Sequence, residues 1–340
     1  MLSRRLSSAD LIELRLRAKQ AFRGPVTRPG LFYMFSLTFS KRRIPMNTLN
    51  SKRKWEPYLW LLPSIVLMAI FVVFPIAIVF KLSFSEISKS GIVGGFIGFR
   101  NFKDAIGLPA FKTVMINTFW WVISVVGLST VIGFALAMVL NQKFHGRKIA
   151  RAIVVFPWAT SLVIQASVWN YIIKAEYGNL NNVLLNLGII KQAINWRSTY
   201  QIEFVWECWV GIFVTIPFVT FCVLSGLQSI DSSLYEAATV DGAGFWDKMW
   251  KITVPLVKPS LTVSTVLNII YVFNSFPIVY TMTKGAPANK TDTLITYLYM
   301  LNFYDRKKGP ATALSVIGFV ILCICAGIYM VTVMRKEDEQ

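Results

Sequence analysis

The stretch Ser233-Leu234-Tyr235-Glu236-Ala237-Ala238-Thr239-Val240-Asp241-Gly242, continued to Ile252-Thr253-Val254-Pro255, is a polar interruption between two long hydrophobic runs. Ser233 followed three residues later by Glu236 matches a capping box, which satisfies two orphan amide donors and predicts a helix from about Leu234. Asp241-Gly242 is expected to end that helix, because glycine adopts the left-handed backbone that closes a helix at low cost. The chain then turns into a second helix carrying Phe245, Trp246, Met249 and Trp250. Two short helices are thus expected to meet at a sharp corner, with Ala237 and Ala238 small enough to press into a groove and large aromatics beside them for contact. The other reading of the same residues is a helical hairpin lying flat on a lipid surface.

Working outward, the flanking runs set the class. Of 340 residues, 55% are hydrophobic and only 15% charged, well beyond the apolar share of a soluble domain. Six runs are long enough to cross a hydrocarbon core: about 58–81, 118–141, 150–173, 205–228, 262–283 and 312–334. The segments do not alternate as barrel strands do, so the expected fold is all-α, a polytopic membrane helix bundle with six transmembrane helices. The predicted organisation is a basic cytoplasmic tail at 1–57, a membrane domain at 58–334 with the polar loop at 229–261, and a short C-terminal tail at 335–340.

The tail through Pro57 carries thirteen basic residues against three acidic ones, a surplus of ten within the formal net charge of +18. Together with Lys143, Arg147, Lys148 and Arg151 in the shortest loop, and Arg335 with Lys336 after the last run, this predicts a cytoplasmic N-terminus and C-terminus. Lys284, Lys290, Arg306, Lys307 and Lys308 run against that pattern, since they fall on the side assigned as outer. Residues 1–45 are Arg-rich, and Met46 opens a stretch resembling a natural start. The expectation is that Met46 is the initiator and that 1–45 is disordered or untranslated, the other reading being a basic arm on anionic lipid. Nucleic acid is not an expected partner, because this charge adjoins a membrane anchor.

Chemistry-bearing residues are sparse. Cys208, Cys222, Cys323 and Cys325 all fall inside spans and read as small apolar fillers. His145 is the only histidine, so no His-based metal or catalytic centre is expected. Glu207 is the one ionisable residue predicted inside a span, near its end, where snorkelling toward the interface is the expected behaviour. Pro63, Pro75, Pro157, Pro217 and Pro277 interrupt the runs and are expected to kink them. The remaining intramembrane polar groups, among them Thr160, Ser161, Gln165, Thr215, Asn268 and Ser275, are neutral. They suit a sugar's hydroxyls, or equally helix-to-helix hydrogen bonding.

The spacing Glu236-Ala237-Ala238, three residues, Gly242, nine residues, Ile252, one residue, Val254-Pro255 resembles the cytoplasmic coupling loop of bacterial ABC-importer permeases, with Val254 in place of the usual Leu. The stretches Phe156-Pro157-Trp158-Ala159-Thr160-Ser161, Glu176-Tyr177-Gly178-Asn179-Leu180-Asn181 and Phe273 to Pro287 resemble the carbohydrate-uptake branch, which contains maltose-type and glycerol-3-phosphate-type subunits. From about Trp55 onward the resemblance is continuous, with Gly285-Ala286 where the branch commonly has two glycines. It implies a multi-pass permease of the bacterial cytoplasmic membrane working with separate ABC ATPase subunits, a second and distinct permease, an extracytoplasmic solute-binding protein and a sugar. It also implies coupling residues Glu236, Ala237, Ala238, Asp241, Gly242, Phe245, Ile252 and Pro255, and pathway residues Trp158, Ser161, Thr215, Asn268 and Ser275. No catalytic residue, bound cofactor or metal is expected in this chain, with ATP and Mg used by the partner ATPase.

No phosphate-binding loop is present: Gly285 to Thr291 lacks the second glycine before Lys290. A self-sufficient secondary carrier or channel for a neutral polar solute is the alternative function. A membrane enzyme would need clustered Asp, His or Cys at the membrane face, and the sequence holds no such cluster.

Overall fold

The computed structural model describes residues 56–337, with side chains described over 58–328. The expectations for the basic tail and for Met46 therefore lie outside the described residues. The chain forms two units, 1–68 and 69–340. In the first, α1 is Glu56–Met68, with Pro63 inside it. In the second, a π-helical turn at Ala69–Val73 leads into α2 (Phe74–Ser83), where Pro75 occupies the first turn, the place where its missing N–H is harmless.

A small antiparallel hairpin follows, β1 (Ser85–Ile87) with β2 (Val93–Phe96), pairing Ser85 with Phe96. The remaining helices are α3 (Arg100–Ile106), α4 (Phe111–Asn141), α5 (Arg147–Ala159), α6 (Leu162–Ile172), α7 (Asn179–Asn186), α8 (Tyr200–Gln228), α9 (Ser232–Val240), α10 (Phe245–Lys248), α11 (Val254–Phe273), α12 (Pro277–Met282), α13 (Leu294–Phe303) and α14 (Lys308–Glu337). Among the described residues five stretches are long and apolar enough to cross a membrane: Tyr58–Ser83, Phe111–Asn141, Tyr200–Gln228, Phe245–Phe273 and Lys308–Ile328. Counting the bent pair α5 and α6 as one gives six.

Two expected spans differ from what the structure holds. The third run is not one kinked helix: α5 and α6 meet at 97° across Thr160-Ser161. The bend is stabilised locally, because the Pro157 carbonyl accepts from Thr160 Oγ1 (3.0 Å) and Gln165 Nε2 (3.3 Å), and Gln165 also donates to Thr160. A freed backbone acceptor thus keeps its partners away from water. The fifth run, expected at 262–283, begins much earlier as the continuous Phe245–Phe273 helix and stops at Asn274. Pro277 does not kink it but starts the separate helix α12.

Helix α8 is the axis of the bundle, with two-thirds of its apolar window buried. Glycines let its neighbours approach: a methyl on Gly211 would lie 2.9 Å from the Trp121 ring, and one on Gly133 would lie 2.9 Å from Val219. Without a hydrophobic drive between helices in lipid, such close packing is a main source of association. Trp121 Nε1 reaches across to donate to the Val272 carbonyl (2.9 Å). The core has distinct ends. Ala137, Leu140, Val223, Leu227 and Val257 cluster where α4 and α8 finish and α11 begins, while Val114, Phe273, Leu294, Leu301 and Leu314 cluster at the opposite end.

Candidate functional site: an exposed corner and a lined groove

The polar loop folds as a helical corner at the end of the bundle where α8 finishes. Asp231, not Ser233, is the N-cap of α9: its carboxylate accepts from the Ser233 N–H (2.9 Å), so the helix starts at Ser232 and the Ser233–Glu236 capping box is not formed. The hydrogen bond from the Ser233 amide is the main cause that holds the Asp231 carboxyl below its ordinary range. The C-terminal closure follows expectation. Gly242 has φ +79°, Asp241 N–H donates to Ala237 O (3.0 Å), and Ala243 N–H reaches back to Ala238 O (2.9 Å).

The second arm is α10, a π-helical turn at Met249–Thr253, then α11 with Pro255 in its first turn. Two contacts fix the angle between the arms: Tyr235 and Thr253 share a hydroxyl hydrogen bond (3.0 Å), and Lys248 Nζ donates to Thr239 Oγ1 (2.8 Å). Asp247 pairs with Lys251 at 2.7 Å. Inside the corner lies a notch of 320 Å³ between Ala238, Asp241, Gly242, Ala243 and Ile252. No residue of α9 is buried, and Val240, Phe245, Trp246 and Trp250 are 88%, 61%, 66% and 62% exposed. Lone exposed apolar residues are ordinary, but four large ones on one polar corner mark a contact surface.

The structure brings Glu236, Ala237, Ala238, Asp241, Gly242, Phe245, Ile252 and Pro255 into this corner. Sequence reasoning missed Asp231, Tyr235, Thr253 and Val240. Asp231 was discoverable, since it too is an N-cap residue type two positions before Ser233.

A groove of 660 Å³ runs between α5, α8 and α11, lined by Trp158, Pro217, Phe218, Phe221, Ser225, Pro259, Ser260 and neighbours. Two helix prolines face it, each leaving a carbonyl one turn back without its usual intrahelical donor. Of the pathway candidates, Trp158 lines this groove and Ser161 is exposed at the α5–α6 bend. Thr215, Asn268 and Ser275 are buried between helices. Thr215 donates to Gly211 O (2.8 Å) and Asn268 Nδ2 to Ser129 Oγ (3.0 Å). Asn268 Oδ1 and Ser275 Oγ are buried without a partner among the described residues, so both keep unspent hydrogen-bonding capacity.

Glu207 does not snorkel. It is fully buried and accepts from Thr283 Oγ1 (2.6 Å), which also shares a hydrogen bond with Thr291 (2.7 Å). Asp292 packs on the backbone of Gly285 and accepts from Asn289 (2.7 Å); burial pushes its carboxyl above the usual range. Among the described residues no group of three or more His, Cys, Asp or Glu side chains is placed to hold a metal ion.

A protein family described as the binding-protein-dependent transport system inner membrane component matches residues 129–336. A probable ABC transporter permease protein of Brucella suis biovar 1 is 40% identical over 283 residues, covering 83% of this chain and 98% of that protein. The trehalose/maltose transport system permease protein MalF of Thermococcus litoralis is 32% identical over 297 residues, covering 86% and 99%. Among solved structures, a chain of a bacterial alginate ABC transporter, in complex with an alginate pentasaccharide-bound periplasmic protein, has the same fold. Its TM-score is 0.71 at 24% identity, over 82% of this chain and 93% of that one.

Proposed function

Because this chain belongs to the family of binding-protein-dependent transport system inner membrane components, we propose that it is the membrane-spanning subunit of an ATP-driven importer that carries a carbohydrate into the cytoplasm by alternating access. The observation that carries this reading is the exposed, internally braced corner at Asp231–Pro255. A corner held at a fixed angle and presenting Val240, Phe245, Trp246 and Trp250 is suited to transmit force from a docked partner. That partner is an ABC ATPase, which binds the ATP and Mg; this chain holds no cofactor itself and contributes no catalytic residue.

The carbohydrate class is supported by the likeness to a trehalose/maltose permease over 86% of this chain and by the chemistry of the groove, lined by the aromatic side chains of Trp158, Phe218 and Phe221 and by Ser225 and Ser260. Trp158, Ser161, Thr215, Asn268 and Ser275 are the proposed pathway residues, the last two through their unspent acceptor and hydroxyl. A second, distinct permease closes the pathway, and an extracytoplasmic solute-binding protein delivers the sugar. The corner is proposed to face the cytoplasm together with both termini; for the C-terminal side this is supported by α14, which starts at the opposite end of the bundle from the corner.

Mechanically, ATP binding draws the two ATPase domains together and the corners follow. The corner enters from α8 and leaves through the continuous Phe245–Phe273 helix, a lever of about 40 Å at 1.5 Å per residue. Its displacement swings α11 against α8, and the groove between them changes access. The test is a mild-detergent pull-down of tagged protein from native membranes, with mass spectrometry of what accompanies it. Recovery of an ATPase, a second permease and a solute-binding protein is expected. Recovery of this chain alone, under conditions that keep a known importer intact, would replace this reading with a self-sufficient carrier or channel.

A further inference from the structure

The basic residues that run against the charge pattern, Arg306 and Lys308, meet Lys89 in a notch of 420 Å³ at the end of the bundle opposite the corner, with Ser90, Asn302 and Phe303 completing its wall. Among the described residues none of these three cations makes an ion pair. The notch is held open by its surroundings. The hairpin turn is tied by Gly91 N–H to Ser88 O (2.9 Å) and Ile92 N–H to Ser88 Oγ (3.0 Å), and it lays Gly91 so close to Lys308 that a methyl there would sit 2.7 Å from Nζ. Asn101 donates to Ser83 O (2.9 Å) and Ser85 O (2.8 Å) and packs on Gly309, which locks the hairpin, α3 and the start of α14 together.

Its level in the molecule decides what it meets. Ser83 ends one candidate span and Lys308 begins another, so the notch stands at the boundary between hydrocarbon and water. Exposed aromatics stand near it: Phe96 from the hairpin, Phe99 just before α3, and Phe303 with Tyr304 at the end of α13. Aromatic rings at this level mark the headgroup region, and cations beside them meet lipid phosphates. The geometry points to a binding site for a phosphate diester, occupied by the headgroup of an anionic phospholipid from the leaflet opposite the corner. Lys89, Arg306 and Lys308 contact the phosphate, and the acyl chains lie against the nearby rings. This inference needs only the membrane-spanning character of the chain, not the carbohydrate reading.

The test uses the full chain with whatever subunits co-purify, reconstituted in phosphatidylcholine nanodiscs with or without phosphatidylglycerol. Retained lipid is counted by native mass spectrometry after transfer to detergent. Wild type is expected to retain phosphatidylglycerol in preference to phosphatidylcholine, and the combined Lys89→Gln, Arg306→Gln, Lys308→Gln variant to lose on the order of ten-fold or more of that preference. Lys308→Met, which keeps the apolar stem, covers the case in which the triple variant does not fold, and is expected to lose it severalfold. Equal retention by wild type and every folded variant would overturn the site. So would displacement of the lipid by millimolar inorganic phosphate, which would make it a free-anion site. Photocrosslinking from position 306 to an acidic protein in place of lipid would overturn it as well.

Discussion

Gly242 combines φ +79° with empty space: no atom lies within 4 Å of where its Cβ would stand. Within this chain a side chain there meets no atom, so its effect on the corner itself comes through the backbone. Left-handed backbone costs an L-residue about 1–2 kcal/mol, more for a β-branched one, and about 1.4 kcal/mol is ten-fold in a population. Gly242→Val is therefore expected to reduce labelled-sugar uptake on the order of ten-fold while the protein still reaches the membrane. Unchanged accumulation would count heavily against a coupling role for this corner. The turn itself was legible in the sequence, because Asp-Gly after a helical run has few other uses. Glu207 was not. Its partner Thr283 lies 76 positions away, and no local pattern announces that a carboxylate near a helix end is sealed by a distant hydroxyl rather than reaching water.

Among elements, α9 depends on its cap more than on burial, since none of its residues is buried. Isolated helices of this length are marginal, so the Asp231 carboxylate and the Tyr235–Thr253 tie carry much of its order. Asp231→Ala is expected to weaken co-purification of the ATPase severalfold, with Asp231→Asn restoring most of it, because an amide oxygen still accepts from Ser233 N–H. The folded-state pKa of Asp231 lies below its unfolded value, so the cap's contribution is complete above the ordinary carboxylate range and is lost as pH falls through the depressed value. ATPase attachment measured between neutral and mildly acidic pH should stay flat in wild type; a loss in that window would mean that another group governs the corner. Hydrophobic length located four of the long helices, but neither the start of the Phe245–Phe273 helix nor the breaks. Pro157 was visible, yet the 97° turn depends on Gln165 and Thr160 satisfying its carbonyl, a tertiary arrangement that the apolar run conceals. Likewise Pro255 and Pro259 sit inside a continuous helix, whereas Pro277 starts a new one after the chain has turned at Asn274. Proline disfavours helix in the residue before it, but packing decides whether a helix bends or stops.

At the scale of the whole molecule, the two ends of the bundle have opposite characters. One end bears the exposed corner and the loop 142–146 with Lys143 and His145; the other bears the aromatic hairpin, the Glu207–Thr283–Asp292 region and the basic residues before α14. Basic residues stand at both ends, so counting them did not settle orientation, and the excess opposite the corner has a use of its own if it holds lipid phosphate. An ATPase can reach only a corner on the ATP side, which fixes the expected orientation. Single cysteines test it in a background where Cys222, Cys323 and Cys325 are serine, since the first is half-buried and the others are exposed, while Cys208 stays in the core. Lys143→Cys, in a loop at the corner's end but outside the docking surface, should resist a membrane-impermeant maleimide in intact cells and react in inverted vesicles. Lys307→Cys, beside the basic notch, should do the reverse. The opposite pattern would place the corner outside, where no ATPase can dock, and the helices α8 and α11 would then lack the lever that the import mechanism requires.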